Sequence, residues 1–204
     1  IFFFYLQTAF CSSFQNSTLS PALNASSSVT AISHAGNRVL LAAGASLYRS
    51  ENGGQSFSLE TNLPSGGGRS IQSISIASEG YGYLVGTGGL AYQIQLNTSA
   101  TSSTHPLSYT LLATDANPAD ETGTGIPVKD LRQVSFTERQ TGYFTAADGA
   151  IYKTTDGGLH WHVQESGIPG SPAPLLSFSD QERAVVVRGT AAGSGTGTAT
   201  ASPL

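Results

Sequence analysis

The chain carries one pattern twice, as Leu47-Tyr-Arg-Ser-Glu-Asn-Gly-Gly-Gln-Ser-Phe57 and as Ile151-Tyr-Lys-Thr-Thr-Asp-Gly-Gly-Leu-His-Trp161. Both copies read aromatic, basic, Ser or Thr, any residue, Asn or Asp, two glycines and, three positions later, an aromatic. A repeat of this kind indicates units that each bury a face against the next. The pattern therefore predicts the architecture more directly than it predicts the function.

The centre of each copy predicts a tight turn between two strands. Asn52 and Asp156 can accept hydrogen bonds from backbone N–H groups ahead of them, and the glycines that follow can adopt positive φ. Asn-Gly and Asp-Gly between apolar runs are the strongest short signal of a β-hairpin. The structural residues predicted for the two hairpins are Ser50, Asn52, Gly54 and Phe57 in the first copy, and Thr154, Asp156, Gly158 and Trp161 in the second.

Similar units surround both copies, and a third unit lies between them without the Asn/Asp-Gly-Gly turn. Each unit contains an apolar strand, a glycine-containing turn and a short strand that reaches Tyr48, Tyr92 or Tyr152. A further short strand precedes and another follows, which is typical of four-stranded propeller blades. The predicted blades cover residues 29–70, 71–128 and 129–170, followed by an incomplete blade at 171–190.

The two hairpins resemble a known family signature. Ser50-x-Asn52-x-Gly54-x-Ser56-Phe57 and Thr154-x-Asp156-x-Gly158-x-x-Trp161 are similar to Asp-boxes, or BNR repeats, of sialidase and sortilin-type propellers. The run from Gly142 to Trp161 most closely resembles the photosystem II stability/assembly factor family. The resemblance implies an all-β fold, a β-propeller that is a partial or small ring of four-stranded antiparallel blades with Asp-box hairpins. It also implies protein partners and assembly work.

Two long polar segments are candidate binding loops. One contains Asn97 and His105, and the other contains Asp115 and Asp120. Long loops on a rigid scaffold often carry binding residues, and they can equally be simple connections.

The two ends of the sequence leave alternatives open. Residues 1–28 are interpreted either as a remnant of a secretory signal or as closing strands, with Ile1–Phe10 and Ser13–Leu19 supplying the outer strands of the fourth blade of a small ring. Residues 191–204 have the Gly/Ser/Thr/Ala composition of a linker or tail. The number of blades suggests either a piece of a longer propeller or a compact four-bladed ring.

Charge and apolar content limit the function classes. The net charge is −4 with scattered Lys and Arg, whereas nucleic-acid binding needs a basic surface. The apolar stretch at Ile1–Phe10 is shorter than the roughly 20 residues that span a bilayer, so no transmembrane segment is expected. Only 11% of the residues are charged, which is frequent in secreted and cell-envelope proteins.

No residue pattern predicts a catalytic, metal or cofactor site. Gly86–Ala91 mimics a dinucleotide fingerprint but leads into a strand, where the fingerprint requires a helix. His160 and His162 would share one face of a strand, without a third ligand at a suggestive spacing. Asp148 and Asp180 occupy turn positions and are the first carboxylates to inspect for glycosidase chemistry.

The sequence therefore predicts a non-enzymatic, secreted or envelope-exposed interaction scaffold with a protein partner, and carbohydrate is a possible ligand. The alternative is a glycoside hydrolase or sialidase-like enzyme whose catalytic residues lie partly outside this segment. Trp161 is expected to be buried between blades, and an exposed indole would instead suggest a platform for stacking on sugars.

Overall fold

The structure of the chain is a computed structural model that describes residues 17–20, 28–60, 69–78, 80–96, 107–112, 129–165, 174–178, 183–187 and 199–203. Apart from a 3₁₀ turn at Thr87–Gly89, the elements of the described chain are β-strands. The strands, in chain order, are β1 (Thr18–Ser20), β2 (Val29–Ala35), β3 (Arg38–Ala43), β4 (Ser46–Ser50), β5 (Ser56–Leu59), β6 (Ile71–Ser78), β7 (Tyr81–Gly86), β8 (Ala91–Gln95), β9 (Ser108–Leu111), β10 (Leu131–Phe136), β11 (Gly142–Ala146), β12 (Ile151–Thr154), β13 (His162–Glu165), β14 (Leu175–Phe178), β15 (Arg183–Val187) and β16 (Ala199–Pro203). None of the described elements is a helix with the length and apolarity needed to cross a membrane.

The strands form four sheets, which are the blades of a β-propeller. In each of the first three sheets, four consecutive strands pair antiparallel, from β2 to β5, from β6 to β9 and from β10 to β13. The first strand of each series, β2, β6 or β10, is the inner strand of its blade. In the first sheet, β1 lies beyond β5. Inner strands of successive blades lie side by side, β2 on β6 and β6 on β10, and β10 approaches β14. The predicted all-β propeller fold with four-stranded antiparallel blades is thus confirmed.

The second strand of each complete blade is buried on both of its faces. In β11, Tyr143 points to the fourth blade and Phe144 points to the second. Alternating side chains of a strand leave opposite faces of the sheet, so a blade between two neighbours needs apolar residues at successive positions. This requirement explains the continuous apolar run of β11, Gly142–Ala146, all of which is buried.

Backbone N–H groups of one inner strand donate hydrogen bonds to serine side chains of the preceding inner strand. Ser33 Oγ accepts a hydrogen bond from the backbone N–H of Ile76 at 3.1 Å, and Ser75 Oγ accepts one from Phe136 at 3.0 Å. An inner strand has no strand partner on its axial side, and these serines satisfy backbone donors that would otherwise be unpaired.

The structure differs from the sequence prediction at two places near the ends of the chain. Thr18–Ser20 pairs in parallel with Ser56–Ser58 of the first blade, whereas the small-ring alternative assigned Ser13–Leu19 to the fourth. Ala199–Pro203, within the segment predicted as linker or tail, pairs antiparallel with β15. Composition misses such strands because the pairing is made by backbone groups on the edge of an existing strand, here β5 or β15, and it needs no large side chain.

Candidate functional site

The hairpin between β4 and β5, here the Asn52 hairpin, is closed by its own side chains. Ser50 Oγ accepts hydrogen bonds from the backbone N–H groups of Asn52 at 3.3 Å and Gly54 at 2.9 Å. The same hydroxyl donates to Asn52 Oδ1 at 2.8 Å, and Asn52 Oδ1 accepts the N–H of Ser56 at 3.0 Å. Each polar group of the pattern therefore has a structural partner.

The hairpin between β12 and β13, here the Asp156 hairpin, reproduces this network. Thr154 Oγ1 accepts the N–H of Gly158 at 2.9 Å and donates to Asp156 Oδ1 at 2.8 Å. Asp156 Oδ1 accepts the N–H of His160 at 3.0 Å. Gly158 has a φ of 90°, a conformation that favours glycine.

The two hairpins differ at the second side-chain atom of the Asn/Asp position. Asn52 Nδ2 donates to Ser56 Oγ at 2.8 Å, whereas Asp156 Oδ2 lies 2.6 Å from His160 Nδ1. Desolvation opposes ionisation of Asp156, but hydrogen bonds from the His160 backbone and ring and from Thr154 lower its pKa to about 2. His160 lies in this turn and His162 begins β13, so the two histidines do not share a strand face as the sequence had suggested.

Trp161 is buried and belongs to the contact between the second and third blades. Its Nε1–H donates to the carbonyl of Gly158 at 3.1 Å, and its ring packs at 4.5 Å from that of Phe144 and at 6.0 Å from that of Phe136. The indole is therefore not available as an exposed platform for a sugar. Phe57 is buried at the same position of the first blade.

A cleft of about 570 Å³ opens beside the Asp156 hairpin, between the second and third blades. Its walls come from the outer strands of the second blade and from two turns of the third. The lining residues are Gln93, Thr110, Leu111, Leu112, Arg139, Gln140, Asp156, Gly157, Gly158 and Leu159.

Beside the cleft, a tyrosine ties the two blades together. The hydroxyl of Tyr83 lies 3.0 Å from the carbonyl oxygen of Arg139 and 3.3 Å from that of Gly157. Gln93 Nε2 donates to the same hydroxyl at 3.1 Å. Burial raises the pKa of Tyr83 above its ordinary value, so the hydroxyl keeps the proton that it donates. The relative position of the two walls is fixed by these bonds.

The rim of the cleft combines apolar side chains with a cation. Leu111 and Leu159 are among the large apolar side chains that remain exposed. The guanidinium of Arg139 stacks 4.0 Å above the ring centre of Tyr81 and donates to the Tyr81 hydroxyl at 2.9 Å. In the described part of the chain, no carboxylate lies within ion-pair distance of Arg139. The rim can therefore offer a positive charge to a ligand.

The strand that forms one wall, β9, is attached to the first blade by a buried carboxylate. Glu60 Oε1 lies 3.1 Å from Arg49 Nε, and Glu60 Oε2 accepts the backbone N–H of Leu107 at 3.4 Å. Burial, followed by the charge of Glu60, raises the pKa of Tyr109. One ion pair thus connects β4 with the beginning of the cleft wall.

The sequence-predicted binding residues Asn97, His105, Asp115 and Asp120 lie outside the described residues. In the sequence, one of these segments precedes β9 and the other follows it, and the end of β9 and the residue after it, Thr110–Leu112, line the cleft. The cleft itself was not predicted, because Gln93, Arg139, Gln140 and Leu159 come together only when two blades pack. The exposed Leu159 inside an otherwise polar turn was the one local signal available.

The remaining candidates that the structure describes occupy structural positions. Asp148 Oδ1 accepts the N–H of Ala150 at 3.2 Å, and its other oxygen pairs with Lys129, while Asp180 lies outside the described residues. Gly86–Ala91 forms a 3₁₀ turn at Thr87–Gly89 and enters β8. Within the described ranges, no group of three His, Cys, Asp or Glu side chains is placed to hold a metal.

Comparison with known proteins supports the fold and leaves the activity open. No family model matches the chain, and no curated protein matches its sequence. The structure of YCF48 from Cyanidioschyzon merolae is similar with a TM-score of 0.62 and 15% identity, covering 83% of this chain and 50% of that one. A structure of YCF48 bound to D1 peptide is similar with a TM-score of 0.58 and 17% identity, covering 85% of this chain and 55% of that one. The structure of an ancestral GH74 enzyme is similar with a TM-score of 0.54 and 14% identity, covering 84% of this chain and 25% of that one.

The chain therefore spans about half the length of the YCF48 structures that it resembles. At these identities the likeness concerns the fold, and it defines the chain as a β-propeller protein.

Proposed function

We propose that this chain is a protein-binding β-propeller scaffold that holds an extended peptide segment of its partner in the cleft between the second and third blades. The observation that carries the proposal is the composition of the cleft, which is lined by the exposed Leu111 and Leu159 and by Arg139, a cation without an ion-pair partner among the described residues. Ligand sites commonly combine apolar walls with a few polar groups that fix orientation.

Each part of the cleft fits a part of a peptide. The side-chain amides of Gln93 and Gln140 can pair with peptide N–H and C=O groups. Leu111 and Leu159 would receive an apolar side chain, and Arg139 would receive a carboxylate. The segment that fits is therefore extended, with an acidic residue near an apolar one.

The resemblances support a more specific assignment. YCF48 has been solved with a bound D1 peptide, and the two hairpins of this chain resemble Asp-boxes of photosystem II stability/assembly factors. We therefore propose that the hairpins are Asp-boxes and that the protein acts as an assembly or stability factor. We also propose that it lies outside the cytoplasm or in the cell envelope, and that the loop containing Asn97 and His105 and the loop containing Asp115 and Asp120 contribute to binding.

A peptide-display selection on the immobilised chain tests this function. Selected peptides should carry an acidic residue beside an apolar one. Their affinity should fall at least tenfold for Leu159→Asp and for Arg139→Gln, because each change removes one contact of the rim. Val163→Asp provides the matched control, since Val163 is also exposed but does not line the cleft. Peptides that bind all three variants as well as the wild type would contradict the proposal.

The glycoside hydrolase alternative can be tested with the same proteins. Glycosidase chemistry uses two carboxylates across a cleft, whereas Asp156 is the one carboxylate among the residues that line this cleft, and its oxygens are engaged by the turn. Turnover of xyloglucan or aryl glycosides by the wild type, and its loss in Asp156→Asn, would favour the enzyme over the scaffold.

A further inference from the structure

The strands β5 and β9 occupy equivalent positions in the first and second blades. In the first blade, Leu59 of β5 pairs with Tyr48 of β4. In the second, Leu111 of β9 pairs with Tyr92 of β8. The residue after each leucine donates its backbone N–H to the carbonyl of the residue before each tyrosine, at 2.8 Å in the first blade and 3.1 Å in the second. The two strands therefore direct equivalent main-chain groups toward their outer sides.

In the first blade, an extended segment of the chain already pairs with this outer side. The strand β1 runs parallel to β5, with Leu19 paired to Phe57. The N–H of Thr18 donates to the carbonyl of Gln55 at 3.1 Å, and the side chain of Leu19 packs on the apolar cluster that includes Phe57. The outer edge of a blade of this fold can therefore hold an extended segment through its main chain.

The main-chain groups of β9 alternate between the two sides of the strand. The N–H of Leu112, the residue after β9, donates to the carbonyl of Ala91, so these two residues form a hydrogen-bonded pair. In an antiparallel ladder, such pairs alternate with pairs that do not exchange hydrogen bonds. The N–H and C=O groups of Tyr109 and Leu111 therefore point to the outer side of β9. Among the described strands, none pairs with that side.

This edge borders the cleft between the second and third blades, which Thr110–Leu112 line. Leu112 belongs to the apolar cluster that the second blade shares with the third. Tyr92, the partner of Leu111, belongs to the cluster shared with the first blade. Because successive side chains of a strand leave opposite faces, Leu111 meets the cleft at the edge of the sheet, where its main chain is.

We propose that the partner peptide binds as an added strand on the outer edge of β9, running parallel to it as β1 runs parallel to β5. This binding mode rests on the proposed function and specifies how the cleft holds its ligand. The main-chain groups of Tyr109 and Leu111 pair with those of the peptide, as in other complexes in which a peptide extends an exposed sheet edge. The occupant is a segment of a protein partner, because Arg139 in the same cleft offers a positive charge that no described carboxylate neutralises.

Strand geometry fixes the spacing of the peptide side chains. Successive side chains of an added strand leave opposite faces, so every second one points toward the third blade. A carboxylate bound by Arg139 and an apolar side chain packed on Leu159 therefore lie an even number of positions apart. The neighbour of the carboxylate leaves the opposite face, on the side of Leu111, where an apolar residue fits. Peptides from the display selection should show this spacing.

Exchange of single amide protons, read by NMR, tests the edge of β9 directly. Without peptide, the amide of Leu112 should be protected by its bond to β8, and that of Leu111 should exchange fast. A selected peptide should protect Leu111 and Tyr109. An amide of Leu111 that is protected before peptide is added would mean that the chain itself fills this edge, and it would overturn the proposal.

Two substitutions at one position separate the main chain from the side chain. Leu111→Pro removes the outward N–H, and proline is tolerated on an edge strand where the N–H is not used in the ladder. Leu111→Ala keeps that N–H and is the matched control for the lost side chain. Affinity for a selected peptide should be about tenfold lower for Leu111→Pro than for Leu111→Ala. Near-ultraviolet circular dichroism of buried Trp161 should be the same in both, and equal affinities would contradict the added strand.

A scan of single N-methyl groups along the peptide tests the same binding mode with the wild-type chain. Each methyl group removes one peptide N–H, and an added strand bonds through every second residue. Affinity should therefore fall about tenfold at alternate positions and change by less than about twofold between them. A peptide that depends on Arg139 and Leu159 but shows no alternation would overturn the added strand and leave the proposed function standing. A selection that yields no binding peptide would overturn both.

Discussion

At the scale of single residues, the Asn/Asp-Gly-Gly pattern closes each hairpin through local hydrogen bonds and glycine backbone conformations. Thr154 and Asp156 accept the N–H groups of Gly158 and His160, and Gly158 supplies a backbone conformation that other residues rarely adopt. The carbonyl of Gly158 then receives the indole N–H of Trp161, which couples the turn to the core between two blades.

Replacement of that indole should therefore be costly. Trp161→Ala is expected to lower the free energy of unfolding by about 3–5 kcal/mol, because it removes a large buried ring that packs on Phe144. Leu159→Ala, in the same turn but exposed, should change it by less than about 0.5 kcal/mol. Urea unfolding followed by circular dichroism measures both, and a loss below about 1 kcal/mol for Trp161→Ala would contradict the buried position.

The first hairpin shows what an amide does at the position of Asp156. Asn52 keeps the same backbone contacts, so Asp156→Asn should fold and should lose the interaction with the His160 ring. The pKa of Asp156 is about 2 in the folded chain against an ordinary value of 3.8. The stabilisation from its charge is complete above 3.8 and is lost as the pH falls through 2.

The stability difference between wild type and Asp156→Asn should accordingly shrink as the pH is lowered across this window. Thermal unfolding of both proteins at a series of pH values measures it. A difference that stays constant from neutral pH to pH 2 would mean that the Asp156 charge contributes nothing.

At the scale of elements, the strand β9 owes its position to a buried ion pair as well as to its ladder with β8. Glu60→Ala removes the nearer carboxylate from Arg49, which keeps Glu51 at 3.5 Å, and frees the N–H of Leu107, and we expect a loss of roughly 1–3 kcal/mol. Glu51→Ala provides the control, because Glu51 is exposed and its pairs with Arg38 and Arg49 should together contribute no more than about 1 kcal/mol.

Hydrogen exchange distinguishes a local effect from a global one. In Glu60→Ala, the amides of Leu107–Leu112 should exchange faster than those of β12, since the ion pair holds only the first of these segments. Equal acceleration in both segments would show that Glu60 stabilises the whole chain and does not position the cleft wall.

The elements also show which parts of the structure the sequence could predict. The Asn52 and Asp156 hairpins depend on contacts within a few residues, so their turns were predictable from local chemistry. Strand β16 was not predicted, because Ala199–Pro203 lacks large apolar residues and is held by pairing with β15. The cleft was not predicted either, because Gln93 and Arg139 are brought together by packing between blades.

At the scale of the whole molecule, the blades form a series in which adjacent blades share buried apolar clusters. Tyr83 belongs to the second blade and holds two turns of the third through their carbonyl groups, which places the cleft at a rigid contact. A rigid cleft loses little conformational entropy on binding. With an extended peptide as ligand, most of the entropy cost of ordering therefore comes from the peptide.

The position of a bound peptide tests the central claim most directly. The measurement is hydrogen exchange of the chain with and without a peptide from the display selection, read by mass spectrometry. The account predicts that protection will be concentrated at Thr110–Leu112, at Arg139–Gln140 and at Asp156–Leu159. Protection confined to other blades, with these three segments unchanged, would contradict it.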